Sequence, residues 1–400
     1  MDDFPRIISV DDHVIEPPGV WQDRLPAKFK DRGPRMVRDT AEFSFLGGTF
    51  EFRRGVDGAP DCDWWLYDDL EYPTPRLSAA VGFDRDEVTL EPITLDEMRK
   101  GCWDVKARIE DMAMNHVDGS LCFPSFPRFC GQTFLERDDK ELADLCVKAY
   151  NDWMIDEWCG GSDGFLLPLV IIQLWDPEAA ADEVRRCAAG GCRAVCFSEQ
   201  PAALGLPSIH SKDGHWDPFF AACEETGTVI CMHIGSSSKM PSTSADAPPA
   251  VGSSLVYANS QAALVDWLFC GAFVRFPELK IAFSEGQIGW MPYALERADK
   301  VWEHNRGWGG VADQVPEPPS TYVQGHVYGC LFDDEHGLDN RHKIGMDMIT
   351  FETDYPHSDS TWPHTLEVAK KITSAAGMSD DEIYKLMRGN AIEMLGLDRQ

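Results

Sequence analysis

The chain has 400 residues, and its 44% apolar content is enough for a substantial core, which excludes wholesale disorder. A formal net charge of −31 excludes nucleic acid and anionic membrane as partners, because both are bound through clustered lysine and arginine. No run of about 18 apolar residues argues for a membrane span, and the acidic start "MDDFPRIISV" does not read as a signal peptide. The 13 cysteines form no CxxC pair and sit in apolar contexts such as "SLCF", "AVCF" and "VICM". They read as buried thiols of a reducing, cytoplasmic compartment, and neither a disulfide framework nor a thiolate zinc site is expected.

In chain order, "RIISVDDHVI" (6–15) predicts a strand. Residues 16–95 read as irregular, rich in Pro, Gly, Trp and acids, with short strand-like pieces such as "EFSFLGGTFEF". So long a loop in one domain is expected to be an insertion or a lid, and the aromatics of "DWWLYDDLEY" either line it or pack it. Residues 96–117 have helical periodicity. There follow "GSLCFPS" (strand), "DKELADLCVKAYNDWMIDEW" (helix) and "GFLLPLVIIQ" (strand). "DPEAAADEVRRCAAGG" is a helix with Asp176 as N-cap, Pro177 at its first position and glycines at its end. Next come "CRAVCFSE" (strand), "WDPFFAACEETG" (helix), "TVICMHIG" (strand) and a long helical region over 255–276. The series ends with "KIAFSEG" (strand), "WMPYALERADKVWEHN" (helix), a strand near 326–332, "MITFETD" (strand) and two terminal helices.

These are about eight strand–helix units, with strands apolar enough for a parallel sheet buried on both faces. A doubly wound sheet would want a glycine-rich turn after its first strand, and "DDHVIEPP" is not one. The expectation is an α/β fold, a TIM-like (β/α)8 barrel spanning 1–400 as one domain, with 16–95 inserted after the first strand.

Barrel chemistry sits at the C-terminal strand ends. Strand one ends in Asp11 and His13, strand five in His233, strand six in Glu285 and strand eight in Asp354, with His357 just beyond. Asp11 and His13 are two apart and share a strand face. Taken singly, each has a plain structural reading as a turn former, a helix cap or a satisfied core histidine. Together they place polar exceptions at the same end of four apolar strands. Several buried charges are best reconciled by one shared divalent cation. The N/O donor set suits zinc, with manganese or iron as alternatives.

The segments "SVDDHVIEPPGVW", "MHIGSS", "SEGQIGWMPYALERAD", "TDYPHSDSTWP" and "GNAIEMLGL" together resemble the metal-dependent amidohydrolase-2 group of the amidohydrolase superfamily. That group includes the aminocarboxymuconate-semialdehyde and resorcylate decarboxylases. The resemblance implies Asp11, His13, His233 and Asp354 as metal ligands, Asp354 also as proton carrier, and a homodimer or larger homo-oligomer. The decarboxylases carry His at the end of strand six, where this chain has Glu285. An anionic Glu285 would repel a carboxylate, so a metal-dependent hydrolase is the first expectation. It would activate water against an amide, ester, thioester or ring-cleavage product. Asp354 would take the water's proton, Glu285 would orient the water or ligate the metal, and His357 would hold a small-molecule substrate or stabilise developing negative charge. A non-oxidative decarboxylase on the same metal is the alternative. A catalytically silent barrel would require a lost ligand, and none of the four positions is lost.

Overall fold

The computed structural model describes residues 4–46, 49–311 and 313–398; Gly47 and Gly48, within one of the strand-like pieces named above, lie outside these, as do residues 1–3 of the acidic start. Its strands in chain order are β1 (Ile7–Val14), β2 (Arg35–Leu46), β3 (Thr49–Arg54), β4 (Asp61–Tyr67), β5 (Leu70–Pro73), β6 (Val117–Pro124), β7 (Leu166–Leu167), β8 (Leu169–Val170), β9 (Ala194–Cys196), β10 (Val229–His233), β11 (Ile281–Ser284), β12 (Val327–Leu331) and β13 (Ile349–Phe351). Parallel pairing gives one sheet in the order β1-β6-β7 and a second in the order β8-β9-β10-β11-β12-β13. Pro168 separates β7 from β8, since it has no N–H to give a ladder, so one short segment serves both sheets.

Every residue of β10, β11 and β12 is buried, as expected for strands covered on both faces. The covering helices include Lys140–Trp153, Pro177–Ala189, Asp217–Thr226, Tyr257–Phe269, Met291–His304 and Thr365–Ala375. Asp176 caps the second of these, its carboxylate accepting from the N–H groups of Glu178 and Ala179.

Two helix expectations are corrected. Only Val105–Met114 of residues 96–117 is α-helical, because Asp104 caps it by accepting from Ala107 N–H and Lys100–Cys102 before it forms a 3-10 turn. The region 255–276 divides into Tyr257–Phe269 and Ala272–Arg275 at Gly271, whose φ of 75° is left-handed.

Residues 16–95 are more regular than their composition predicts. β2–β5 form an antiparallel sheet in the order β3-β2-β4-β5. It has a small apolar cluster of its own around Ala41, Cys62 and Trp64, and ion pairs link its strands: Arg38 reaches Asp63 at 2.9 Å, and Arg54 reaches Glu71 at 2.6 Å. Trp65 fastens this sheet to the rest of the chain. Its ring meets Trp21 edge-on at 5.0 Å and Phe126, just past β6, at 4.9 Å. All 13 cysteines are free and buried. No helix among the described residues is long and apolar enough to cross a membrane.

The first and last parallel strands meet beyond the end of β13. Asp354 N–H donates to Asp11 O at 3.0 Å, and His13 N–H donates to Tyr355 O at 2.6 Å. Asp12 is the fastener. Its carboxylate accepts from the hydroxyls of Ser9, Ser120 and Thr353 and from Tyr355 N–H, joining β1, β6 and the segment after β13.

Candidate metal centre

β1 carries Asp11 and His13 into the middle of the molecule, where both are fully buried. His13 Nε2 lies 3.6 Å from Asp11 Oδ1 and 3.4 Å from Asp354 Oδ1. His233, the last residue of β10, points its Nε2 at Asp11 Oδ2 and Glu285 Oε2, 3.5 Å from each, and at His13 Nε2, 3.2 Å away. The structure therefore brings Asp11, His13, His233, Glu285 and Asp354 together. His357 joins them from the following turn, its Nδ1 3.0 Å from Asp354 Oδ1 and its ring stacked on His13 at 3.6 Å.

The local backbone aims these groups. Asp354 and Glu285 both take left-handed conformations, with φ of 52° and 56°. Such angles are uncommon away from glycine and persist only where surrounding bonds fix them. Asp354 is fixed through Asp11 O, and Glu285 through its N–H, which donates to Glu352 Oε2 at 3.1 Å. Phe129 lies flat on the His233 ring, 4.1 Å away at 7°.

The electrostatics are unfavourable for the protein groups alone. Burial pushes the Asp11 carboxyl well up, and the acids Glu352, Glu285 and Asp354 push it further. Burial does the same to Asp354, with Glu285 adding to it. Burial pushes His13 well down, helped by His357 and His233, and takes His233 down to about 4. Glu285 differs: burial would raise it, but His233 and His357 hold it at about 2, as a carboxylate.

The donor atoms fit a cation. Apart from the 3.0 Å approach of His357 Nδ1 to Asp354 Oδ1, the four oxygens of Asp11 and Asp354 have no hydrogen-bond partner among the described residues. His233 Nδ1 is 2.6 Å from Ile234 O, and a carbonyl can only accept, so that nitrogen carries the proton. Nε2 then turns a lone pair toward His13 and the carboxylates. Two triads, Asp11–His13–His233 and His13–Asp354–His357, each gather their ligand atoms within 4.8 Å. His13 Nε2 faces Asp11, His233 and Asp354 together, so the two triads describe one site. An oxygen-and-imidazole set of this kind binds zinc, manganese or iron.

Sequence reasoning did not identify four neighbours of this cluster. Glu352 is fully buried, is pushed up to about 8 by burial, and receives the Cys330 thiol. Arg108 is buried with its guanidinium on His13 O and Gly101 O, over the Tyr355 ring at 4.2 Å. Asp12 is the fastener described above. Glu16 accepts from the N–H groups of Ser125 and Phe126, both at 2.9 Å. The available signal was charge within apolar strand ends, "VDDHVIE" and "TFETD", read there for only some of its acids.

The sequence profile of the amidohydrolase family matches residues 89–397, and the chain belongs to that family. Asp11 and His13 lie ahead of the matched stretch, whereas His233, Glu285, Asp354 and His357 lie inside it. A 2-amino-3-carboxymuconate-6-semialdehyde decarboxylase of Dictyostelium discoideum is 25% identical over 315 residues, which are 76% of this chain and 79% of that protein. Among solved structures, an amidohydrolase of Mycobacterium avium subsp. paratuberculosis shares the fold with a TM-score of 0.69 and 23% identity, over 98% of this chain and 99% of its own. A dihydroxybenzoic acid decarboxylase of Polaromonas sp. JS666, solved with manganese and the inhibitor 2-nitroresorcinol, has a TM-score of 0.58 and 18% identity over 81% and 94% of the two chains.

Proposed function

We propose that the protein is a metal-dependent, non-oxidative decarboxylase of an aromatic or muconate-type carboxylic acid. The observation that carries this reading is the cluster of unpartnered buried donors at the strand ends, in a family whose relatives named above include decarboxylases. In this reading residues 1–400 are one domain, a (β/α)8 barrel closed between β1 and β13, with 16–95 lying over its mouth. Asp11, His13, His233 and Asp354 hold one divalent cation, zinc or in its place manganese or iron. The active form is a homodimer or larger homo-oligomer.

A cation held there supplies Lewis-acid polarisation of a substrate oxygen. Asp354 holds the proton. It delivers it to the ring carbon that bears the carboxylate, forming a C–H bond. The bond from that carbon to the carboxyl group breaks, its electron pair stays on the ring, and carbon dioxide leaves. Asp354 is left ionised and regains a proton from water. His357 holds the substrate against the cluster, and the Phe129–His233 stack keeps water from that wall.

Hydrolysis is the second reading, favoured by one observation. Glu285 is ionised and faces the site, which suits a group that orients water and opposes a carboxylate substrate. The deciding experiment incubates metal-loaded protein with hydroxybenzoates and muconate-type acids, and separately with aryl esters and thioesters. Release of carbon dioxide that stops on chelation supports decarboxylation. Ester or thioester cleavage with no carbon dioxide from any acid would replace it with hydrolysis.

A further inference from the structure

A cavity opens beside the cluster, with His13 and His357 in its wall. Its sides are aromatic: Trp65, Tyr72, Phe126 and Phe129 line it. Glu16, three residues past His13 and fully buried, is the acid among its described lining residues. The Glu16 oxygens accept backbone N–H groups from Ser125 and Phe126, each at 2.9 Å, and its own backbone N–H also bonds it, while burial still pushes its carboxyl up to about 7. A carboxylate oxygen has two lone-pair positions, so the two oxygens together keep one acceptor position. The cation lining this cavity is Arg128, and it is already engaged, with Glu136 at 2.7 Å and with the Ser238 hydroxyl. The cavity thus presents acceptor capacity and no uncommitted positive charge among its described lining residues.

We infer that Glu16 is a specificity-determining residue: it accepts a hydrogen bond from a hydroxyl or ring N–H on the substrate's aromatic ring, away from the reacting carbon. The inference rests on the proposed function for the ring and the reacting carbon, and it adds the substituent that the ring must carry. A second carboxylate at that position is disfavoured, because it would face Glu16 with Arg128 already paired. A neutral donor is selected because a buried acceptor built to receive one loses a bond when the donor is absent. Glu16 also fixes the turn after β6 through its bonds to Ser125 and Phe126, so loss of stability alone would not distinguish the roles.

The test is ligand discrimination. The probes are catechol, resorcinol and hydroquinone, each against the matching fluorophenol, in which one hydroxyl is replaced by a fluorine of similar size that cannot donate. Binding to the zinc- or manganese-loaded protein is followed by tryptophan quenching, without turnover. At least one dihydroxybenzene should bind about tenfold more tightly than its fluorophenol. In Glu16→Gln that ratio should fall to within about twofold, with the melting temperature recorded alongside. Glu16→Asp, which withdraws the acceptor by one methylene, serves if the glutamine variant does not fold. Equal binding of every pair in the unmodified protein, or an unchanged ratio in a folded Glu16 variant, overturns the inference. The two readings fail separately. Carbon dioxide release with no discrimination keeps the reaction and removes Glu16, whereas discrimination with no carbon dioxide release keeps the subsite and removes the reaction.

Discussion

His13 and His233 face each other nitrogen to nitrogen, their Nε2 atoms 3.2 Å apart and both buried. The Ile234 carbonyl fixes the His233 tautomer, so at least one of the two facing atoms offers only a lone pair. Such a contact needs a proton or a cation between the rings. Burial depresses both imidazoles and so disfavours a charged pair, leaving either the Nε2–H of a neutral His13 or a bound cation between them. Protein prepared without chelator should carry about one divalent ion per chain by elemental analysis. A His13→Ala/His233→Ala double variant should carry almost none. Equal trace amounts in both would show that there is no metal centre.

Asp354→Asn keeps the shape of the side chain and one oxygen, but it cannot deliver the proton. Turnover should fall roughly 100- to 10,000-fold, the usual worth of a general acid or base. Metal content should fall much less than in a His233 variant, because one ligand oxygen remains. Near-normal turnover across the pH range would reduce Asp354 to a ligand or a turn residue.

Glu285→Gln separates the two chemical readings. Its carboxylate is held ionised beside His233 and His357, so removing the charge should help an anionic substrate to bind. For a decarboxylase, KM for the carboxylic acid should drop, by roughly tenfold for one charge partly screened by water. For a hydrolase using Glu285 to orient water, kcat should instead fall about 100-fold or more. Steady-state kinetics on Glu285→Gln and the unmodified protein, side by side, read the difference.

Glu199 predicts a pH dependence of stability. It is buried at the end of β9, accepting from Gly235 N–H, the Ser237 hydroxyl and Asn259, and burial still pushes it up to about 7. Its folded pKa lies above its unfolded value, so the unfolded chain loses this proton first as pH rises. Stability from this group is therefore fully present below about pH 4.5 and lost as pH rises to about 7. The difference corresponds to roughly 3 kcal/mol. Glu199→Gln should gain about that much relative to the unmodified protein between pH 4.5 and pH 8, by chemical denaturation at each pH. A stability difference that does not change with pH would show that Glu199 has no raised pKa.

Trp65 tests whether residues 16–95 belong to the same folding unit. Trp65→Ala removes a buried ring that touches both Trp21 and Phe126, at a cost of about 3–5 kcal/mol. In a single domain the whole melting transition should move down together. A separate early transition, with the remainder melting as before, would make the insertion an independent unit.

The strands were legible because continuous apolar runs have few other meanings. "TVICMHIG" and "KIAFSEG" contain β10 and β11, and the acids and imidazoles at strand ends stood out against them. The insertion was less legible, because its antiparallel register pairs residues such as Arg38 and Asp63, 25 apart, which no local period reveals. Asp12 was hidden between two conspicuous neighbours, and its role depends on Ser120 and Thr353, distant in the chain. Arg108 lies in a stretch with helical periodicity, where nothing local sets it apart. Only the fold turns it inward onto the His13 carbonyl.

The hydrogen bond from Asp354 to Asp11 joins β1 to the segment after β13. Synthesis runs from the N- to the C-terminus, so a nascent chain carries Asp11 and His13 before His233, and His233 before Asp354. Until then the early pair has no closing partner and Asp12 lacks its Thr353 and Tyr355 contacts. A chain terminated before residue 354 lacks both the hydrogen bond that closes β1 onto the segment after β13 and the carboxylate of Asp354.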